Sequence, residues 1–472
     1  MEGTLVYLKQ RANEDWLIGH DSHQFSKLSE QLFLDLTQQK NRKAPLKIIV
    51  AEQEPVRFLA SFIAACAAEC YVFLCNPNWV EQEWQQVFNL VQPDVVLGDL
   101  PVVSPKSLVN SFLPPLHLNN KQPATDNKLQ IMIPTGGSSG QIRFAIHTWE
   151  TLMASVRGFH QYFGEKPINS FCVLPLYHVS GLMQFLRSFT TGGRMVILPF
   201  KALVTGEEYH LDPGEFFISL VPTQLARLIT PGSSTWLSRF QTVLLGGAPA
   251  WAELLEQARG YNIPVALTYG MTETASQVVT LKPEDFLSGN NSCGQVLPHA
   301  RVTIRSSTDE ILGANQTGIV TIESDSLALG YYPHGEIQNL KSDDLGFFDK
   351  QGYLTIVGRR SHKIITGGEN VFPAEIEAVI RSTQLVSDVC VIGLPDDYWG
   401  QAVTAVYVPS SLKASPTLLK TAVENKLCKF KRPKYWVTVE HLPRNAQGKV
   451  NYEQLKRLTA NSLVELLQVN QK

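Results

Sequence analysis

SDDLGFFDKQGYLTIVGRRSHKIITGGENVFPAEIE, residues 342–377, is the stretch on which the architecture turns. It opens on an acidic turn, passes through the alternating run YLTIVGR, and changes texture at a Gly-Gly-Glu turn followed by a Pro-Ala-Glu helix start. Alternation of apolar and polar residues with a period of two marks a half-buried strand. Pro373, with glutamates behind it, marks the first turn of a helix. A β unit therefore ends here and a compact α+β unit begins, with the boundary between Arg360 and Ser361.

Outward from that boundary the two sides read differently. Upstream, ARVTIRS and GIVTIES join YLTIVGR as short strands split by Gly, Asn and Asp turns, a small β subdomain over about 292–360. Before it, from Lys47, short apolar runs alternate with helical stretches: KIIVA, a helix over 54–69, YVFLC, a helix over 79–91, DVVLGD, then FCVLPL, RMVILPF, FISLV, QTVLLGG and PVALTYG. Such alternation predicts parallel sheets covered by helices. Downstream lie a helix over 373–382, strands VSDVCVIGL and QAVTAVYV, a helix over 416–427 and KRPKYWVTVEHLP. The fold class is α/β: a large doubly wound N-terminal region with its β subdomain, residues 1–360, and a small α+β domain, 361–472.

Composition narrows the function. The chain has 472 residues, 44% hydrophobic and 18% charged, with a net charge of −2, which excludes a disordered chain and gives no field favouring nucleic acid. The N-terminus lacks a basic start followed by an apolar run, and the most apolar stretch, 58–75, is interrupted by Glu69 and too short to span a bilayer, so no membrane insertion is expected. Seven cysteines without a CxxC pair fit reduced thiols in a cytoplasm and argue against a zinc or disulfide frame.

Four segments carry chemistry. Thr135, Gly136, Gly137, Ser138, Ser139 and Gly140 follow the strand LQIMIP and form a loop whose amides and hydroxyls can cradle phosphate oxygens, although a surface turn has the same composition. Gln141 follows where a P-loop needs its lysine. YGMTETASQ, 269–277, follows PVALT and so sits at the carboxyl end of a sheet strand, where open α/β sheets bind ligands. There Tyr269 offers an aromatic face, Thr272 a hydroxyl, and Glu273 a carboxylate able to hold magnesium; a capped helix start is the plainer reading. LLGGAPA, 244–250, and PRNAQGK, 443–449, complete the set.

PTGGSSG at 134–140, YGMTETASQ at 269–277, the stretch 342–377 and PRNAQGK at 443–449, in this order along the chain, resemble the adenylate-forming superfamily of acyl-CoA synthetases. The resemblance implies a mobile C-terminal lid and the substrates ATP, with Mg2+, and CoA. It implies that Gly246, Gly247 and Ala248 contact adenine alongside Tyr269 and Gly270, that Asp344 hydrogen-bonds the ribose hydroxyls with Arg359 assisting, and that Lys449 serves the first half-reaction. It also implies that Gly367 and Gly368, in TGGENVFPAEIE, line the pantetheine tunnel after the lid turns. Asp343 beside Asp344 leaves the ribose assignment open by one place, and the spacing to Gly346 favours Asp344. Two residues depart from the pattern: Arg143 stands where the family has lysine, and His362 where it has aspartate.

Within the superfamily, LPLYHVSGL, SLVPTQLARLI and YGMTETASQVVTL resemble the o-succinylbenzoate-CoA ligase family of menaquinone and phylloquinone biosynthesis. An aromatic acid with two carboxylates needs a cation for the one that does not react, because an unpaired buried charge is costly. Arg187 is the candidate, a surface cation being the alternative, while His178 and Ser180 can hydrogen-bond the acid or its ketone. A CoA ligase for another aryl or fatty acid, and an inactive ligand-binding relative, remain as alternatives.

Overall fold

The structure is a computed structural model, and it describes residues 3–38, 44–98, 129–136, 141–204, 211–333, 336–367, 369–396, 398–411, 414–444 and 449–469. Among these, two large sheets form the N-terminal region. The first runs in the order Leu17–Ile18, Met195–Ile197, Asn169–Cys172, Phe216–Leu220, Thr242–Leu245, Val265–Met271, Ser276–Thr280, Gln295–Val296. It is parallel through Val265–Met271 and antiparallel beyond. The second runs Gly330–Tyr332, Ile142–His147, Gln130–Gly136, Tyr71–Leu74, Lys47–Val50, Val95–Leu97.

Helices lie between the two sheets. Pro55–Ala67 is apolar almost all round because it is covered on both sides; its start is fixed by Pro55 and by the Glu54 carboxylate, which accepts from the Val56 and Arg57 amides at 2.9 and 2.7 Å. Val179–Thr191 buries Leu182, Met183, Phe185, Leu186 and Phe189 and ends at Gly192 in the left-handed conformation. One hydrophobic cluster joins these helices to Ile48, Val72 and Ile131 of the second sheet and Cys172, Met195 and Ile197 of the first.

A four-stranded antiparallel sheet follows, in the order Ala300–Arg305, Gly318–Ser324, Leu340–Phe348, Leu354–Arg359. Two expectations are corrected here. The acidic segment at 342–345 is not a turn but lies inside the strand Leu340–Phe348, where the register against Gly318–Ser324 skips 342–344 and Asp344 pairs with Arg359 on the other side. Gly330–Tyr332, between two of these strands in the chain, pairs with Ile142–His147 of the second large sheet. In addition, the strand expected over 171–176 stops at Cys172, and Leu174 to Tyr177 turn the chain into the next helix.

A 3-10 turn, Arg360–His362, links this sheet to the last one, in which Glu369–Val371, Ile364–Thr366, Gly400–Pro409 and Val386–Asp396 pair antiparallel and Tyr435–Thr438 adds in parallel. Helices Pro373–Arg381 and Pro416–Glu424 cover one face through Ile376, Ile380, Leu419 and Val423, packed on Val389, Val391 and Tyr407. All seven cysteines are free. Among the described residues, no helix is long and apolar enough to cross a membrane.

Candidate active site

A cavity of about 610 Å³ opens at the carboxyl ends of the parallel strands of the first sheet. Leu174 and Pro175, Ser219 to Val221, Gly246 and Gly247, and Gly270 to Thr272 each follow or end one of these strands and line it. Side chains of the C-terminal unit, including Arg381, Asp388, Arg444 and Lys449, close it from the other side. Gly246 is needed for this shape: a methyl group in place of its hydrogen would lie 2.2 Å from the Thr268 hydroxyl.

Arg187 forms the floor. It is 3% exposed, its guanidinium lies 3.9 Å from the centroid of the Phe159 ring, and its Nη2 donates to Ser276 Oγ at 3.2 Å and Gln277 Oε1 at 3.0 Å. The alternative of a surface cation is therefore excluded. Burial pushes its pKa down to about 9, with no carboxylate opposing the shift, so at neutral pH it is a cation held by neutral groups alone. The two partners follow Ala275, whose carbonyl accepts from Ser155 Oγ at 2.7 Å.

His178 is the N-cap of the helix that carries Arg187, and Ser180 stands in the first turn; both line the cavity. Burial first, and Lys449 second, lower the His178 pKa to about 3, so it is a neutral imidazole at physiological pH. A neutral imidazole can hydrogen-bond a molecule in the cavity and adds no second charge beside Arg187.

Thr272 and Glu273 occupy a 3-10 turn directly after the strand Val265–Met271. The turn is held from below by His147, whose Nε2 donates to the Thr272 carbonyl at 2.8 Å. Burial lowers the His147 pKa to about 4, which leaves a neutral ring. Glu273 is 8% exposed and accepts from the Tyr331 hydroxyl at 2.6 Å, while the Arg143 guanidinium sits 4.5 Å from the centroid of the Tyr331 ring. Arg143 therefore adjoins Glu273 through an aromatic face. Thr135 is its partner across the hairpin formed by Gln130–Gly136 and Ile142–His147. Gly137, Ser138, Ser139 and Gly140 lie outside the described residues, as does Gly368.

No group of three or more His, Cys, Asp or Glu side chains among the described residues could hold a metal.

Asp344 is 8% exposed and accepts from Tyr269 Oη at 2.8 Å and Arg359 Nε at 3.2 Å. Asp343 points the other way: it takes the Ser361 amide at 3.2 Å and the Ser361 hydroxyl, with Arg360 Nε at 3.7 Å. Neighbouring residues of a strand face opposite sides, so the strand itself divides the two acids, one toward Tyr269 and one toward the 3-10 turn. Tyr269 is not the open aromatic face that its position implied. Its ring is 9% exposed in the cluster under the four-stranded sheet and lies off the cavity wall.

Lys449 reaches the cavity from the C-terminal unit. Lys449 as a residue is exposed, but the protein packed around its ammonium and then Arg359 lower its pKa, while Glu273 and Asp344 pull the other way. Three of the expected site residues from separate segments thus surround one lysine. His362, the departure in the 3-10 turn, stacks on Tyr452 with ring centroids 4.0 Å apart. A methyl group on Gly367 would lie 3.1 Å from the Trp399 ring, and this glycine is off the cavity; Ala248 also does not line it. The motifs do not point to Tyr331, His147 or the mouth residues Arg381 and Asp388, and the third member of that mouth cluster, Arg444, lies inside PRNAQGK without a role that the motif assigns. Gln277 likewise lies inside YGMTETASQ without a role that the motif assigns.

A nucleotide-sized cleft between a large α/β body and a small α+β unit whose lysine enters it defines an adenylating enzyme. The chain belongs to the AMP-binding enzyme family, whose model matches residues 36–332, with the AMP-binding enzyme C-terminal domain at 375–449. Among curated relatives, the 2-succinylbenzoate–CoA ligase of Oceanobacillus iheyensis is 35% identical over 333 residues, 68% of each chain. That of Bacillus cereus is 31% identical over 435 residues, 87% of this chain and 88% of its own. Among solved structures, o-succinylbenzoate coenzyme A synthetase from Bacillus subtilis in complex with AMP superimposes with a TM-score of 0.76 at 25% identity, covering 95% of this chain and 98% of that one.

Proposed function

We infer that this protein is an ATP-dependent acid-thiol ligase that converts o-succinylbenzoate to o-succinylbenzoyl-CoA, in the cytoplasm, on the route to menaquinone or phylloquinone. The observation that carries the reading is Arg187, a buried cation without a carboxylate partner among the described residues, on the floor of the cavity that Lys449 enters. A monocarboxylic aryl or fatty acid would leave that charge uncompensated at high cost, whereas the benzoate carboxylate of o-succinylbenzoate neutralises it.

In the first step an oxygen of the succinyl carboxylate forms a bond to the α-phosphorus of ATP as the bond to the β-phosphate oxygen breaks, releasing pyrophosphate and an acyl-adenylate. Lys449 places positive charge beside the α-phosphate oxygens, where negative charge builds up, an effect of the kind that dominates many such transfers. Glu273 and Thr272 border the phosphates, and Glu273 would hold the magnesium that accompanies ATP, whose charge would offset that of the phosphates. Arg143 supplies the cation that lysine gives in relatives, with a guanidinium that can grip two oxygens at once. Asp344, oriented by Tyr269 and Arg359, accepts from both ribose hydroxyls. Gly246 and Gly247, which line the cavity, flank the adenine.

In the second step the CoA thiol loses its proton and its sulfur attacks the acyl carbon, and AMP leaves. We place the change between the steps at the 3-10 turn, where the C-terminal domain turns about Arg360 and Ser361, removes Lys449 and brings Gly367 and Gly368 toward the pantetheine arm. Asp343 tethers this turn by exposed contacts, which are cheap to break.

The test supplies purified protein with magnesium, ATP and CoA, and follows pyrophosphate and thioester with o-succinylbenzoate against benzoate, cinnamate and octanoate. Thioester from o-succinylbenzoate at a kcat/KM at least about 10²-fold above the others is expected. Preference for a monocarboxylic acid would overturn the substrate, and no pyrophosphate with any acid would overturn the ligase.

A further inference from the structure

The floor of the cavity holds a second group whose orientation is forced. A guanidinium only donates, so the Gln277 amide must turn its oxygen toward Arg187 Nη2, and Ser276 Oγ donates to the same oxygen at 2.6 Å. The amide nitrogen is thereby directed away from Arg187. Gln277 is 6% exposed, lines the cavity, and its Nε2 has no hydrogen-bond partner among the described residues, as is also true of Arg187 Nε. Buried donors without acceptors are rare and costly, and here two of them adjoin one cation.

The backbone is shaped to present this amide. Ala275 and Ser276 both have positive φ, 49° and 96°, without being glycine, a conformation that costs on the order of 1–3 kcal/mol per residue. Gly270 makes it possible, since a methyl group there would lie 2.1 Å from the Ser276 carbonyl oxygen. The result turns Ser276 and Gln277 into the cavity beneath the 3-10 turn of Thr272.

We propose that Gln277 is a specificity-determining residue for the diacid: its oxygen positions the Arg187 guanidinium, and its Nε2 donates a second hydrogen bond to the same non-reacting carboxylate. This rests on the substrate reading above and extends it. The neutral amide is essential, because a carboxylate here would neutralise Arg187 internally and leave no charge for the substrate. Gln277 thus selects for an acid bearing a second carboxylate and against the same acid without it.

The probe pair is o-succinylbenzoate and 4-oxo-4-phenylbutanoate, which keeps the reacting carboxylate and the ketone and lacks only the benzoate carboxylate. The readout is the ratio of kcat/KM for the two acids in the full-length protein with magnesium, ATP and CoA. Gln277→Glu should lower that ratio by about 10²-fold, by losing the diacid while pyrophosphate release with the monoacid is kept or raised. Gln277→Leu, which removes the donor without adding charge, should lower it by about 10-fold. A general structural defect would depress both acids and leave the ratio alone. If Gln277→Glu does not fold, Gln277→Leu and Gln277→Met carry the test with the same expectation of about 10-fold. Wild-type thioester formation from o-succinylbenzoate together with a ratio unchanged in the variants overturns the role of Gln277 alone. Failure of the wild type to use o-succinylbenzoate overturns the substrate reading first.

Discussion

At the floor of the cavity Arg187 is sealed against Phe159 and bonded to two neutral side chains, whereas at the mouth Arg381 and Arg444 share Asp388 in partly exposed ion pairs of 3.1 and 2.6 Å. The mouth touches the N-terminal region through Arg381, 5.2 Å from the Trp251 ring centroid. Charges at the floor have no water to fall back on, so their partners are fixed and their loss is expensive. Those at the mouth exchange protein for solvent at a cost near zero, about 0–1 kcal/mol per pair. A rigid recognition end and an easily parted closing end are what the proposed turn of the C-terminal domain about Arg360 and Ser361 would require.

The largest effect expected is at the residue that bridges the two ends. Lys449→Ala should reduce adenylate formation by about 10³-fold or more, because it removes the positive charge nearest the developing negative charge. It should leave CoA attack on preformed acyl-adenylate within a few-fold of wild type. Single-turnover measurement of the two half-reactions checks this, and equal loss of both would break the division between floor and lid.

Next in size is the floor. Arg187→Met should lower kcat/KM for o-succinylbenzoate by roughly 10²–10³-fold while affecting 4-oxo-4-phenylbutanoate by less than about 10-fold, since a methionine fills the space over Phe159 and leaves no unpaired charge. Parallel losses for both acids would show that Arg187 serves packing rather than recognition.

A pH profile sharpens the comparison further. The folded-state pKa of Lys449 lies below the ordinary lysine value, mainly through burial and then through Arg359. The protonated form is the useful one, so adenylation is complete below the lowered pKa and declines as pH rises through it, at a lower pH than an ordinary lysine would give. Lys449→Arg should move this alkaline limb upward and leave the second half-reaction's profile in place. The imidazole of His178, already neutral above about pH 3, should contribute no step over the physiological range.

Much of the fold and of the site is legible in the amino-acid sequence alone, and the parts that are not have common physical causes. The parallel strands are short runs of Val, Ile, Leu and Phe that identify themselves, and the motifs lie at their carboxyl ends because that is where an α/β sheet leaves backbone free. Asp343 and Asp344 suggest a turn because Asp and Gly disfavour strands; pairing of the flanking Lys341 and Leu345 with Gly318–Ser324, and of Asp344 with Arg359, carries the strand through them despite that local preference. The burial of Arg187 has no local signal, since a cation on a helix looks exposed until its partners are known, and those lie 89 and 90 residues further on. Tyr331 reaches Glu273 across 58 residues from a strand paired with Ile142–His147, which no local pattern announces.

The smallest effect expected is at the mouth itself, where Asp388→Asn removes the charge shared by Arg381 and Arg444. Overall stability should change by less than about 1 kcal/mol, because each pair is partly exposed and screened. Since the same cluster holds the C-terminal unit against Trp251 in the arrangement that admits Lys449, weakening it should shift the balance away from the adenylating arrangement. Adenylate formation should then slow by only a few-fold, and thioester formation from preformed adenylate should be unchanged or faster. An opposite sign, with slowed thioester formation and intact adenylation, would mean that the mouth cluster favours the second arrangement and that closing strength resides elsewhere, in contacts such as the stack of His362 on Tyr452.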